Sequence, residues 1–269
     1  SIRGSTLLMA TRLSSREASR VLKELKENVA LANRTLHHQG LTTYLGHASA
    51  RIPGTDRIII KPRPHVSMDR VTADMLMTLD LEGNIIDAPK GAIIPAEWSL
   101  HTEVYKARYD VNGVVHTHQK WCTMFGIAGA TILPVQHPVS ASTVVPPYPV
   151  YNESYAIVTE VQQAKVVAKI LGDAVGCHLQ THGMVFVGSD VHTAASVAKN
   201  AEHQAEMNWL AMQVGDRETI PMLFMRGQIE GRANGSEESP RDGVYPSGRT
   251  NEVWADQNRE VLRKRVVQL

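Results

Sequence analysis

Residues 95–118 decide the fold: they run Pro95-Ala96-Glu97-Trp98-Ser99-Leu100-His101, pass through Tyr105, Arg108 and Asp110, and end in Val114-Val115-His116-Thr117-His118. Pro95 suits a first helical position, and Leu100, Val104 and Ala107 recur at helical spacing, which predicts a helix from about Ala96 to Arg108. Val111–His118 then reads as a buried strand whose end turns polar. A helix folded back antiparallel onto the strand that follows it brings its own start beside the strand's end. Glu97 is therefore expected near His116 and His118. Side chains alternate along a strand, so these two imidazoles leave the same face. That geometry suits the gripping of one ion, and it is equally open to two surface histidines on an exposed strand end.

On the N-terminal side, residues 1–11 carry no periodicity. Ser14 with Glu17 makes a capping box, and Leu22, Leu25, Val29, Ala32 and Leu36 follow at helical spacing until Gly40 supplies a stop. Gly46–Arg51 and Arg57–Lys61 read as short strands around Pro53-Gly54-Thr55-Asp56. Thr72 is expected to cap a short helix, and Thr78–Leu81 and Ile85-Ile86 to form a further hairpin. On the C-terminal side, prolines recur between residues 134 and 149, which predicts loop or extended structure. Val161–Leu171 reads as a helix stopped by Gly172. Cys177–Gln180 and Met184–Val187 read as strands around Thr181-His182-Gly183, and Ser189-Asp190 as the cap of a long helix to about Val214. One domain over residues 14–222 is expected, followed by an extension over 223–269 that is loop-rich and then helical around Val253–Val267.

Composition narrows the function classes. Lys and Arg number 28 against 27 Asp and Glu, a net charge of +1, which offers no basic excess for a nucleic-acid backbone. No apolar run approaches the ~20 residues of a membrane span. Cys122 and Cys177 form no Cys-x-x-Cys pattern, so neither a disulfide framework nor a thiolate zinc site is supported, and a reducing, cytoplasmic setting is expected. Histidine stands out instead, at 12 residues. His182, next to a glycine that lets the backbone approach closely, is a candidate third imidazole beside His116 and His118, with His178 as a rival on the same strand. Three imidazoles and one carboxylate are the ligand set of Zn²⁺ or another first-row divalent ion.

The quoted stretch, together with His182-Gly183, Gly46-His47-Ala48-Ser49-Ala50-Arg51 and Asn200-Ala201-Glu202, resembles the class II aldolase/adducin-head family over about residues 14–222. The resemblance implies an α/β fold: a three-layer α/β/α sandwich around a mixed, largely antiparallel sheet, assembled as a homotetramer. It also implies a metal (Zn, Mn or Fe) on His116, His118 and His182, with Glu97 as a further ligand or as the catalytic carboxylate. Sugar-phosphate members hold the phosphate with hydroxyls just before the glutamate and with a Thr/Gly turn after the first hairpin. Here Pro95-Ala96 and Ile60-Lys61-Pro62-Arg63 stand in those places, and His47 replaces the usual Asn. Lys61 and Arg63 are candidates for holding a carboxylate, or are solvated charges.

The expected chemistry is a metal-dependent carbon–carbon lyase, decarboxylase or aldolase, acting on a small non-phosphorylated, aromatic or aliphatic, hydroxy or oxo acid. His47, Glu97 and Tyr105 are candidates to supply the proton, and His101, one helical turn from Glu97, to orient it. Three alternatives stand beside this reading. They are an Fe(II) oxygenase that oxidatively decarboxylates an aryl oxo acid, a sugar-phosphate aldolase or epimerase, and a non-catalytic adducin-like module.

Overall fold

The computed structural model describes residues 15–63, 67–136 and 147–220. The first helix, α1 (Ser15–His38), buries Val29, Ala30, Ala32 and Leu36, and the chain turns away at Gly40 with φ +73°. Two antiparallel hairpins follow, β1 (His47–Arg51) with β2 (Arg57–Ile60) and β3 (Met77–Asp80) with β4 (Ile85–Asp87). Helix α2 (Trp98–Ala107) leads into β5 (Gly113–Thr117) and α3 (Lys120–Ile127). Strand β6 (Val150–Tyr151), helix α4 (Val161–Leu171), the hairpin β7 (Gly176–Leu179) and β8 (Gly183–Gly188), and helix α5 (Val191–Val214) complete the described chain.

The strands form one eight-stranded sheet in the order β4-β3-β2-β1-β5-β8-β7-β6. Every neighbouring pair is antiparallel except β6–β7, so the sheet is mixed and largely antiparallel as expected. Alternation along the strands sends neighbouring residues to opposite layers. Ala48, Ala50, Ile59, Val115 and Met184 pack with the buried residues of α1, α3 and α5. Ile58, Ile60, Val114, Cys177 and Val185 pack with Leu100 and Val104 of α2 and Ala164 and Val167 of α4. The result is an α/β/α sandwich with β5 near its middle. Both faces of β5 are covered, which is why Val114 and Val115 are consecutive apolar residues.

Several expectations are adjusted. Helix α2 begins at Trp98, whose N–H reaches the Pro95 carbonyl at 3.2 Å, so Glu97 sits at the cap position and not inside the first turn. Thr72 spends its hydroxyl on Asp74 at 2.6 Å instead of capping backbone, and Ala73–Met75 is a single 3-10 turn. Helix α3 and strand β6 were not expected. The first is eight residues long and carries Gly126, and the second is two residues long, so neither holds a full hydrophobic period. Asp190 does cap α5, accepting the Thr193 N–H at 2.7 Å. The extension 223–269, with its expected helix, lies outside the described residues. Among the described residues no helix is long and apolar enough to cross a membrane.

Candidate metal centre

The cluster forms where β5 ends. His47 on β1 lies opposite His116, and on the other side of β5 Val185 lies opposite it. His116 is fully buried, and its Nδ1 donates to the Met184 carbonyl at 2.9 Å. That bond places the proton on Nδ1 and leaves the Nε2 lone pair facing inward. His118 follows the strand end, where its backbone N–H is held by the Leu41 carbonyl at 3.1 Å.

His182 is delivered by the β7–β8 turn, and the turn is costly to make. Thr181, a β-branched residue, has φ +67°, in the left-handed region that such side chains avoid. A Cβ on Gly183 would lie 2.3 Å from the Thr117 carbonyl oxygen and 3.1 Å from His118 Cδ2. Only glycine lets this turn lie against the end of β5.

Glu97 closes the ring from the start of α2. Its two carboxylate oxygens lie 3.3 Å from His116 Nε2 and 3.3 Å from His182 Nε2. His182 Nε2 is in turn 3.2 Å from both His116 Nε2 and His118 Nε2. All four donor atoms lie within 4.8 Å of one another. Metal–nitrogen bonds of about 2.0–2.1 Å in a tetrahedron set the ligand atoms about 3.3–3.4 Å apart, so the four separations of 3.2–3.3 Å match a coordination shell. One oxygen of Glu97 is also buried without a hydrogen-bond donor. Such a set of inward-facing lone pairs fits a first-row divalent cation.

The electrostatics agree at His118 and at Glu97. Burial, together with His116 and His182, lowers the His118 imidazole to about 3, so it is neutral and able to ligate. Burial raises Glu97, but His116, His182 and His47 outweigh it and hold the carboxylate ionised, well below its usual range. Burial likewise opposes a proton on His116, and Glu97 overcomes it, leaving that imidazole raised.

Behind the ring lies a second tier. His47 Nε2 is 3.8 Å from Glu97 Oε2, and its Nδ1 is 2.7 Å from His101 Nε2. His101 Nδ1 meets Ser49 Oγ at 2.6 Å, and Ser49 Oγ meets the Tyr105 hydroxyl at 2.9 Å. His101 thus meets His47 and Ser49 with its two ring nitrogens. Tyr105, a candidate proton donor, is fully buried, with Ser49 and His101 between it and the ring. Burial raises its phenol above the ordinary value.

Lys61 is buried, donates to the Tyr44 carbonyl at 3.1 Å, and is lowered by burial to about 8. Its charge is felt at His47. Arg63, by contrast, donates to the Ile94 carbonyl at 3.0 Å and pairs with Ile93. His178 faces the other layer: a Cβ on Gly126 of α3 would lie 3.3 Å from its Nδ1. Sheet alternation thus takes the rival imidazole away from the ring. A groove of about 700 Å³ between α1 and Thr72–Asp74 is lined by none of the ring's residues.

Three contributors, Ser49, Thr181 and Glu202, stand in segments quoted above but were given no role there. Glu202 on α5 accepts the N–H groups of Trp121 and Cys122 at 2.8 and 2.9 Å, fixing the start of α3 just after His118. Some 80 residues separate these partners, and no local pattern announces them.

The model of the family described as Class II Aldolase and Adducin N-terminal domain matches residues 27–209. The chain belongs to this family. A protein of Caulobacter vibrioides whose name places it among the class 2 aldolases is 31% identical over 144 residues, 53% of this chain and 54% of that one. The chain thus spans about half the length of the curated relative it matches. An L-fuculose 1-phosphate aldolase from Glaciozyma antarctica PI12 superposes with a TM-score of 0.69 at 20% identity, covering 82% of this chain and 86% of that one. An aldolase II superfamily protein from Pseudomonas syringae gives 0.68 at 24% identity, covering 94% and 96%. At these identities the two structures establish the class II aldolase fold of residues 15–220 and nothing about a substrate.

Proposed function

We propose that this chain is a metal-dependent carbon–carbon lyase, of decarboxylase or aldolase type, acting on a small non-phosphorylated hydroxy or oxo acid. The observation that carries this reading is the ring of His116, His118, His182 and Glu97, whose 3.2–3.3 Å separations match a coordination shell. When bound there, a divalent cation supplies a Lewis acid that draws electron density from the bond to be broken.

The chain's own groups divide the remaining work. Lys61, a buried ammonium next to His47, attracts a carboxylate where sugar-phosphate members place phosphate-binding residues. Glu97 would help His116, His118 and His182 hold the cation, and its ionised carboxylate is placed to accept the substrate's hydroxyl proton. The electron pair of the broken carbon–carbon bond stays on the substrate carbon, which takes a proton back. The same assignment covers loss of CO2 and loss of an aldehyde. Residues 14–222 form the catalytic domain in this reading, and a homotetramer is its expected assembly.

Metal analysis of untreated protein, combined with turnover of a panel of hydroxy and oxo acids with and without O2, tests this. Stoichiometric divalent metal and cleavage that continues anaerobically are expected. Turnover that stops without O2 would replace the lyase by an iron oxygenase. Turnover confined to sugar phosphates would replace it by a sugar-phosphate aldolase, and an empty, inactive protein by an adducin-like module.

A further inference from the structure

His47 and His116 face each other across β1 and β5, yet their surroundings dictate opposite tautomers. His116 gives its Nδ1 proton to a carbonyl and turns a lone pair inward. His47 is set by a buried row of hydrogen-bonding groups: Tyr105 hydroxyl, Ser49 hydroxyl, His101 and His47 itself, joined at 2.9, 2.6 and 2.7 Å. Each member can donate once and accept once, so the row runs one way or the other, and the end that faces the site chooses. At that end stands the Glu97 carboxylate, which can only accept.

We propose that Tyr105, Ser49 and His101 are positioning residues that lock His47 as its Nε2–H tautomer, so that it meets the substrate as a hydrogen-bond donor and not as a base. The proposal rests on reading the ring as a lyase site. Tyr105 O–H donates to Ser49, Ser49 O–H to His101 Nδ1, and His101 Nε2–H to His47 Nδ1, leaving His47 Nε2–H pointed into the site. The reverse order would aim the His47 lone pair at the Glu97 carboxylate, a repulsive contact. Water has no entry to rearrange the row, because Tyr105, Ser49 and His101 are each 0% exposed and His47 3%. Arg51 fixes the far end, donating to the Tyr105 and Arg108 carbonyls with its guanidinium 5.0 Å from the centre of the Tyr105 ring. An N–H so aimed is suited to hold the oxygen on which negative charge gathers as the carbon–carbon bond breaks.

Long-range ¹H–¹⁵N spectra of ¹⁵N-labelled protein, metal-free and zinc-loaded, report the tautomer directly, with the His47 signals assigned by their absence in His47→Gln. Wild type is expected to show a pyrrole-like Nε2 and a pyridine-like Nδ1 at His47. Ser49→Ala, which removes one buried oxygen, is expected to move both shifts toward the average of the two tautomers, and Tyr105→Phe to move them less. With an active substrate in hand, Ser49→Ala should lower kcat roughly 10- to 100-fold with metal content unchanged, and Ser49→Thr, which restores the hydroxyl, should return the wild-type shifts. A pyrrole-like Nδ1 at His47 in wild type overturns the proposal, as do His47 shifts that Ser49→Ala leaves in place. The spectra are read without turnover, so absence of lyase activity would sink the proposed reaction and leave the tautomer assignment standing.

Discussion

Two tiers of histidine meet at Glu97, and they satisfy their nitrogens in opposite ways. In the inner tier, His101 and His47 are linked to Ser49 and Tyr105 by hydrogen bonds of 2.6–2.9 Å, donor to acceptor throughout. In the outer tier, Nε2 atoms face one another and a carboxylate at 3.2–3.3 Å. The first arrangement is complete in itself. The second gathers lone pairs that gain most when they share a cation. Imidazoles of equal chemistry therefore serve structure or coordination according to what faces the second nitrogen.

The sharpest way to break the comparison is to remove one member of the outer tier. His116→Ala or His118→Ala should abolish stoichiometric metal and lower any lyase activity by more than about 100-fold, beyond what supporting residues of metal sites cost. Metal content by mass spectrometry and turnover are the readouts. A variant that keeps its metal would show that the ring is not a coordination shell. The next effect comes from backbone alone. Gly183→Ala must push the β7–β8 turn off the Thr117 carbonyl, since its Cβ would start 2.3 Å from that oxygen. His182 moves with the turn, and metal affinity should fall roughly 10- to 100-fold by competition with a chelator. Unchanged affinity would mean that the turn does not position His182.

A third test separates two basic residues that sit two apart in sequence. Lys61→Met removes a buried ammonium beside His47, and KM for an acid substrate should rise about tenfold or more, the cost of about 1.5 kcal/mol for losing a charged hydrogen bond. Arg63→Met frees the Ile94 carbonyl and should leave KM within about twofold. Equal effects would erase the distinction that burial draws between them.

The outer tier was largely legible in the sequence; of the inner tier His47, His101 and Tyr105 were named as candidates, but not the links between them. His116-x-His118 announces itself because a strand's period places both rings on one face, and Glu97 follows because α2 folds back on β5. Helices α1, α4 and α5 and the hairpins were readable from spacing, caps and glycine stops. The inner tier depends on the pairing of β1 with β5 and on the roll of α2, which bring Ser49 to Tyr105 across 56 residues. No local pattern encodes that meeting. It also takes in His101, whose i,i+4 spacing from Glu97 suggested a partner on its own helix, while its ring nitrogens meet His47 and Ser49. His178 shows the converse. One strand face was shared by residues 178, 180 and 182 only while the strand was taken to run on, and β7 ends at Leu179 before the turn.

The smallest effect expected is on acid stability, and it compares two buried imidazoles outside the outer tier. Burial, reinforced by His116, lowers His101 to about 3, and burial lowers His178 on the opposite layer to about 4. In the unfolded chain both return to about 6.5. The unfolded state therefore binds more protons below that pH, so the stability that neutral burial allows is present above about 6.5 and lost as pH falls toward 4. Each residue contributes a slope of at most about 1.4 kcal/mol per pH unit. Urea midpoints of chelator-treated protein at pH 7, 6 and 5 should fall progressively, and His178→Gln should flatten that slope, whatever it does to stability at pH 7. His101→Gln should flatten it as well while also disturbing the His47 tautomer, which His178→Gln leaves alone. Parallel slopes in wild type and His178→Gln would show that this imidazole is protonated within the fold, and the two layers would then differ in how they bury histidine.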